Sequence, residues 1–294
     1  MRRRAFLSGG AVLAIASALP LGVLANDIAA AKRIVVAGGD LTEIVFALGQ
    51  GDRVVGVDQT SQFPPEVADL AQIGYVRRLS AEGVLSLAPD LVIAADDAGP
   101  DVVMEQLQAA GVPIARAPET KTAAEIANKI AFVGEVLGQK DQAAAEADAF
   151  SARLAEITEK TGTLPSQPRV LFVLSVRSGA PLVGGLDTAA HEMITLAGGE
   201  NVAADINGYK PMGREAILAA APDVVLMMEQ HAARQGGIDA ILARPEIALT
   251  PAGQAKRAVT MDGMLLLGFG PRTPEAIAQL ARALHPDTAA AAGL

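Results

Sequence analysis

Tyr75 stands in Gln72-Ile73-Gly74-Tyr75-Val76-Arg77-Arg78-Leu79-Ser80, with a glycine before it and two cations within three residues after it. Positive charge that close favours a phenolate over a phenol, and a phenolate is a hard oxygen donor suited to ferric iron, including the iron of haem. The plainer alternative is a half-buried loop tyrosine. The only other tyrosine is Tyr209, in Gly208-Tyr209-Lys210-Pro211, and the histidines are His191, His231 and His285. With no cysteine and no tryptophan, thiolate metal sites, disulfides, thiol nucleophiles and tryptophan-built cages are excluded. Enzyme signatures fail in turn. Val36-Ala37-Gly38-Gly39-Asp40 lacks the spaced glycines of a dinucleotide turn, and no phosphate-binding Gly-Lys-Ser/Thr occurs. His191-Glu192-Met193-Ile194-Thr195 opens like a zinc-protease helix but has threonine where the second histidine belongs, and there is no Gly-x-Ser-x-Gly elbow. Paired carboxylates stay open among 33 acidic residues, so an enzyme is the minor reading.

The elements that must position these residues alternate between Val/Ile/Leu runs and alanine-rich stretches, the pattern of α/β lobes. Strands are predicted at Arg33–Ala37, Arg53–Val57, Leu91–Ala94, Val112–Ala115, Val170–Leu174, Val224–Met228 and Ala258–Met261. Helices are predicted at Leu41–Leu48, Glu82–Leu87, Asp101–Ala110 and Ala123–Leu137. Asp141–Thr161 has no Gly or Pro and sets Ala147, Phe150, Leu154 and Ile157 on one stripe, which predicts a helix of roughly 30 Å able to join two lobes. Glu82–Ile93 matches Glu215–Leu226 at six of twelve positions with an offset of 133. Each copy reads as a short helix stopped by Ala-Pro-Asp and followed by a buried strand. The expected architecture is two Rossmann-like lobes joined by one long helix, with a ligand cleft between them. The divisions are residues 26–140, 141–164 and 165–294.

At 294 residues, 51% hydrophobic, 19% charged and with a mean hydropathy of +0.32, the chain can bury a sizeable core. Its net charge of −9 offers no field to hold nucleic acid. The first 25 residues read as a signal peptide: three arginines, an uncharged run from Ala11 to Leu24, and Val23-Leu24-Ala25 as a cleavage site. Arg3-Arg4-Ala5-Phe6-Leu7 is compatible with twin-arginine export, and equally with an ordinary secretory start. Removing those three arginines, with no acids, takes the net charge from −9 to −12. The mature protein is expected to be periplasmic, monomeric and without stable membrane insertion.

From about Arg33 to Ala283 the sequence resembles the two-lobed substrate-binding proteins of ABC importers for haem, siderophores and cobalamin. Gly38–Ile44, Gly74–Gly83 and Gly268–Pro274 look like the periplasmic haemin-binding members. The resemblance implies capture of haem with Tyr75 as iron ligand, and delivery to a permease with its ATPase subunits. Arg77 matches a family arginine near the ligand, which stabilises phenolate or pairs with a propionate. Tyr209 is expected to line the cleft or pack under its loop, without ligating, and His231 to face haem as distal ligand or hydrogen-bond donor. Some members carry a histidine ligand where this chain reads Ser175-Val176-Arg177-Ser178. Glu82 and Glu215 each follow a helix start (Ser80, Gly213) by two residues, where a carboxylate meets the positive helix end. In the resembled class such acids dock onto permease arginines. Gly268–Thr273 and His285-Pro286 read as structural, with Thr273 capping the last helix and Pro274 opening it. The rival readings are a receptor for a ferric siderophore or cobalamin, and a periplasmic enzyme acting on tetrapyrroles.

Overall fold

Ile34–Ala37 is buried at all four positions, and a continuous apolar run of that length is held by a strand covered on both faces. The computed structural model describes residues 28–176 and 179–294; the expected signal segment and Arg177-Ser178 lie outside the described residues. In the first lobe the strands are β1 (Ile34–Ala37), β2 (Val54–Val57), β3 (Ala71–Gln72), β4 (Gly74–Tyr75), β5 (Arg78–Leu79), β6 (Leu91–Ala94) and β7 (Ile114–Arg116). β3-β2-β1-β6-β7 form one parallel sheet, while β4 and β5 make a separate antiparallel hairpin. The second lobe holds β8 (Arg169–Ser175), β9 (Leu182–Gly184), β10 (Glu200–Asn201), β11 (Tyr209–Pro211), β12 (Val224–Met228) and β13 (Ala258–Met261). Its order is β11-β9-β8-β12-β13, with β10 beside β8; β9 pairs antiparallel with both β8 and β11, and the other pairings are parallel.

All seven predicted strands form, within two residues of their predicted ends. The unpredicted strands are two or three residues long and carry Gly, Pro or polar side chains, so no hydrophobic period marks them. Pro211 is tolerated because β11 is an edge strand, paired only with β9. Pro113 pushes the start of β7 to Ile114, and the helix predicted to run to Leu87 ends at Leu85. The helix predicted from Ala123 opens with a 3₁₀ turn, where Thr122 and Glu125 form a capping box, and is α-helical over Ile126–Leu137.

The repeat is visible in the backbone. Ala88 and Ala221, at matching places, both adopt left-handed φ values of 44° and 42°. After them, Asp90 accepts from the Arg33 N–H at 2.9 Å and Asp223 accepts from the Arg169 N–H at 2.9 Å. The two arginine side chains also correspond: Arg33 donates to the Leu87 carbonyl at 2.7 Å and Arg169 to the Ala220 carbonyl at 3.0 Å. The shared Ala-Pro-Asp therefore ties the end of each short helix to the start of its lobe's first strand.

The long helix spans Lys140–Gly162, 23 residues, about 35 Å. Phe150 is fully buried in it, and Ala147, Leu154 and Ile157 pack against the same core. Helix Ile126–Leu137 crosses it closely: a Cβ on Gly134 would lie 2.1 Å from that of Ala143. One apolar cluster runs without a break from Leu41 and Ile44, through Phe150, Ile277 and Leu280, to Phe172 and Met193. The lobes are therefore packed through a common core as well as tethered, which limits hinge motion.

Polar ties reinforce it. Glu43, on helix Gly39–Ala47, accepts from Arg272 at 2.5 and 3.0 Å. Lys129 pairs with Asp40 and donates to the Phe269 carbonyl at 3.2 Å. Thr273 does not cap the last helix; it is the first helical residue, and its hydroxyl donates back to the Gly270 carbonyl at 2.9 Å. Pro274 fits the first turn as expected, where no N–H is needed. His285 is buried and its Nε2 lies 3.2 Å from the Gly198 carbonyl. Burial lowers its pKa.

Candidate functional site

In open α/β sheets ligands sit beyond the carboxyl ends of the parallel strands. Those ends of the two lobes face one another: a Cβ on Gly39, just past β1, would stand 2.7 Å from Met264 Cε, just past β13. Tyr75 lies at this edge, half-buried on the β4–β5 hairpin that follows β3. The hairpin register sets Tyr75 opposite Arg78. Arg77 Nη1 donates to the Tyr75 oxygen at 2.6 Å. A guanidinium cannot accept, so the bond forms with phenol or phenolate alike and leaves an oxygen lone pair for another partner. The guanidinium carbons of Arg77 and Arg78 each lie 5.9 Å from the ring centroid, the outer limit of cation–π contact.

Arg77 also pairs with Asp97. Burial pulls its pKa down, but Asp97 and Tyr75 outweigh that and raise it. Asp97 follows the carboxyl end of β6, in the loop that joins β6 to helix Asp101–Ala109. Neighbouring Asp96 is pushed up, first by burial and then by Asp97 and Glu119. Neither Asp97 nor the role of its loop was legible in residue types. The usable signal was positional, an acidic pair just past a buried parallel strand.

From the second lobe, Tyr209 meets Phe172 edge to face, with ring centroids 6.4 Å apart. Burial raises the Tyr209 pKa, while the Thr188 hydroxyl, the Ala190 backbone and the charge of Arg77 pull the other way. His231, on helix Glu229–Arg234, places Nδ1 2.5 Å from the Leu174 carbonyl. A carbonyl only accepts, so Nδ1 carries the proton and Nε2 of the neutral ring keeps its lone pair. Of the predicted site residues, Tyr75 and Arg77 are joined by a hydrogen bond, and Glu82 and Glu215 lie apart on the repeat-related short helices. Each is exposed in the first turn of its repeat-related helix, Ala81–Leu85 and Arg214–Ala220, and neither makes an ion pair among the described residues. The described residues hold no group of three or more His, Asp or Glu side chains that could bind a metal. No helix among the described residues is long and apolar enough to cross a membrane.

A depression of about 490 Å³ lies elsewhere, lined by Glu43, Phe63, Glu66, Arg153, Arg272 and Glu275 among others. It sits beside the interlobe ion pair and does not include Tyr75.

The periplasmic binding protein profile matches residues 34–265. Among relatives, a Bacillus subtilis chain described as an uncharacterized ABC transporter substrate-binding lipoprotein, YvrC, is 30% identical over 87% of this chain and 81% of its own. A Vitamin B12-binding protein of Yersinia pestis is 27% identical over 72% of this chain and 75% of its own. Among solved structures, the apo periplasmic heme-binding protein RhuT from Roseiflexus sp. RS-1 superposes with a TM-score of 0.84 at 41% identity, covering 87% of this chain and 98% of that one. The periplasmic heme-binding protein BhuT in complex with two hemes gives 0.82 at 41%, with the same coverage. HutB of Vibrio cholerae gives 0.78 at 33%, over 86% and 99%.

Proposed function

We propose that this chain, which belongs to the periplasmic binding protein family, captures ferric haem in the periplasm and hands it to an ABC-type import permease. The observation that carries the reading is the Tyr75 oxygen, held at 2.6 Å by Arg77 at the carboxyl edge of the first sheet. RhuT and BhuT, each 41% identical to this chain, are periplasmic heme-binding proteins. Tyr75 is the iron ligand in this reading. Tyr209 and His231 face the cargo from the cleft walls, and Arg77 holds the ligand oxygen.

Capture requires no bond to be made or broken within haem. A negative phenolate oxygen bonds ferric iron, and Arg77 keeps that oxygen oriented and electrostatically balanced. Binding excludes water from the macrocycle faces, which contributes an apolar driving force. Export by the N-terminal signal, with cleavage after Ala25, brings the chain to the compartment where this cargo is met.

Release is a matter of differential binding: a permease that favours the state with Tyr75 drawn away from iron lowers the affinity for haem by the same free energy. Glu82 and Glu215, exposed and related by the repeat, would meet two equivalent permease subunits. Because the lobes share one core, loop displacement is favoured over wide lobe separation.

The test is a titration of the mature protein with ferric haem, followed by its visible spectrum, in wild type and Tyr75→Phe. Saturable binding with a high-spin, tyrosinate-type spectrum that is lost in the variant is expected. An unchanged spectrum in Tyr75→Phe would remove the ligand assignment. Cobalamin is titrated in parallel because relatives 27–30% identical are vitamin B12-binding proteins; tight cobalamin binding with no haem binding would replace the cargo.

A further inference from the structure

Arg77 divides its guanidinium between two partners: Nη1 donates to the Tyr75 oxygen at 2.6 Å, and Nη2 pairs with the Asp97 carboxylate. The two contacts use different nitrogens of one planar fork, so fixing one orients the other. Asp97 is itself held. The Leu79 N–H donates to the Gly99 carbonyl at 2.9 Å and the Gly99 N–H to the Val76 carbonyl at 2.9 Å, so the loop after β6 is stitched to the Tyr75 hairpin. From the other side Arg116 donates to the Asp96 carbonyl at 2.5 Å and to the Ala98 carbonyl at 3.2 Å. The backbone on both sides of Asp97 is thereby clamped.

We propose that Asp97 is the positioning residue of the site: anchored by the Arg116-clamped loop, it locks Arg77 onto the Tyr75 oxygen and so commits that guanidinium to the ligand oxygen, not to a carboxylate of the cargo. A free Arg77 side chain, with about four rotatable bonds, would lose conformational entropy each time it met Tyr75. Asp97 removes that loss in advance. The commitment also biases which of two available anions Arg77 serves, because its two terminal nitrogens already have partners before any ligand arrives. Arg78, exposed and without an acidic partner among the described residues, is the cation left for an anionic group on the ligand.

The inference rests on the haem reading only for its second readout, and the first needs no ligand. In haem-free protein labelled with [¹³Cζ]tyrosine, the Tyr75 resonance is identified by comparison with Tyr209→Phe at fixed pH. Asp97→Asn is expected to move it to the position seen in Arg77→Ala, and the double variant to add nothing further. A Tyr75 resonance unmoved by Asp97→Asn, or a double variant that sums two separate shifts, overturns the proposal. Asp97→Glu, which keeps the charge, should restore part of the wild-type shift; a merely structural loop role would not give that rescue. In the second readout, Arg77→Ala and Asp97→Asn should weaken ferric haem and its dimethyl ester by the same factor, about tenfold or more. A loss confined to the free acid would place Arg77 on a propionate and refute the commitment. Absence of haem binding by wild type would sink the cargo assignment while leaving the resonance test in force.

Discussion

Arg272→Ala removes the guanidinium that grips Glu43 with two nitrogens, at 2.5 and 3.0 Å, across the join between the first lobe and the C-terminal segment. Glu43 is 7% exposed, and burial already raises its pKa despite Arg272. Breaking such a pair typically costs about 3–5 kcal/mol, because one charge is left buried alone. Protonation caps the loss. At pH 7 Glu43 can take up a proton instead, at about 1.36 kcal/mol for each unit above the ordinary value of about 4.3, or about 3.7 kcal/mol. The same arithmetic at pH 5 gives about 1 kcal/mol. Wild type feels part of this penalty already, so the expected loss is about 3 kcal/mol at pH 7, shrinking as the pH falls. A carboxyl raised in the folded state binds its proton more tightly there than in the unfolded chain. Stability is therefore lost as pH climbs from the unfolded carboxylate range through the folded value. Arg272→Ala widens that window upward. A contribution of about 0.5–1 kcal/mol from the Arg272 guanidinium, 3.9 Å above the Phe63 ring, is lost at every pH. Thermal unfolding at pH 5 and pH 7 checks this, with a drop of roughly 6–12 °C expected at pH 7. A penalty below about 1 kcal/mol at pH 7, the value of an exposed pair, or one independent of pH, would refute the account of a buried interlobe latch.

Ala88→Gly and Ala221→Gly relieve left-handed backbone at φ 44° and 42° and should each stabilise by about 0.5–1 kcal/mol after the unfolded-state cost of glycine; a fall in melting temperature for either would show that the turn is not strained. His231→Ala should weaken haem binding by about fivefold, the equivalent of one hydrogen bond; identical affinity and spectrum would take His231 out of the site. Charge reversal at Glu82 and Glu215 should reduce uptake through the cognate transporter while leaving haem affinity unaltered. Intact uptake with both reversed would remove the docking role.

The elements predicted from periodicity were those with long, uninterrupted patterns. β1, β6, β8 and β12 are apolar runs that only a covered strand can bury, and Lys140–Gly162 has one apolar stripe with no breaker inside it. The strands of two or three residues escaped because their pairing is set by neighbours, as for the hairpin that carries Tyr75. In the site, Tyr75 and Arg77 stood out by type and spacing, and their contact is local, two residues apart. Asp97 is twenty residues further on and enters only because β6 runs beside β1, bringing its following loop back to the hairpin.

Composition and order of residues alone determined an α/β chain in two related halves, with one tyrosine in a cationic turn and a negative overall charge. Those are properties of local propensity and of a repeat, and neither needs distant residues to meet. Tertiary structure alone decided that the halves share a single core, that Glu43 finds Arg272 across 229 positions of sequence, and that Asp97 takes hold of Arg77. Pairings between charges so far apart in the chain follow from which strands lie side by side, and the identity of the residues at either end carries no record of that adjacency.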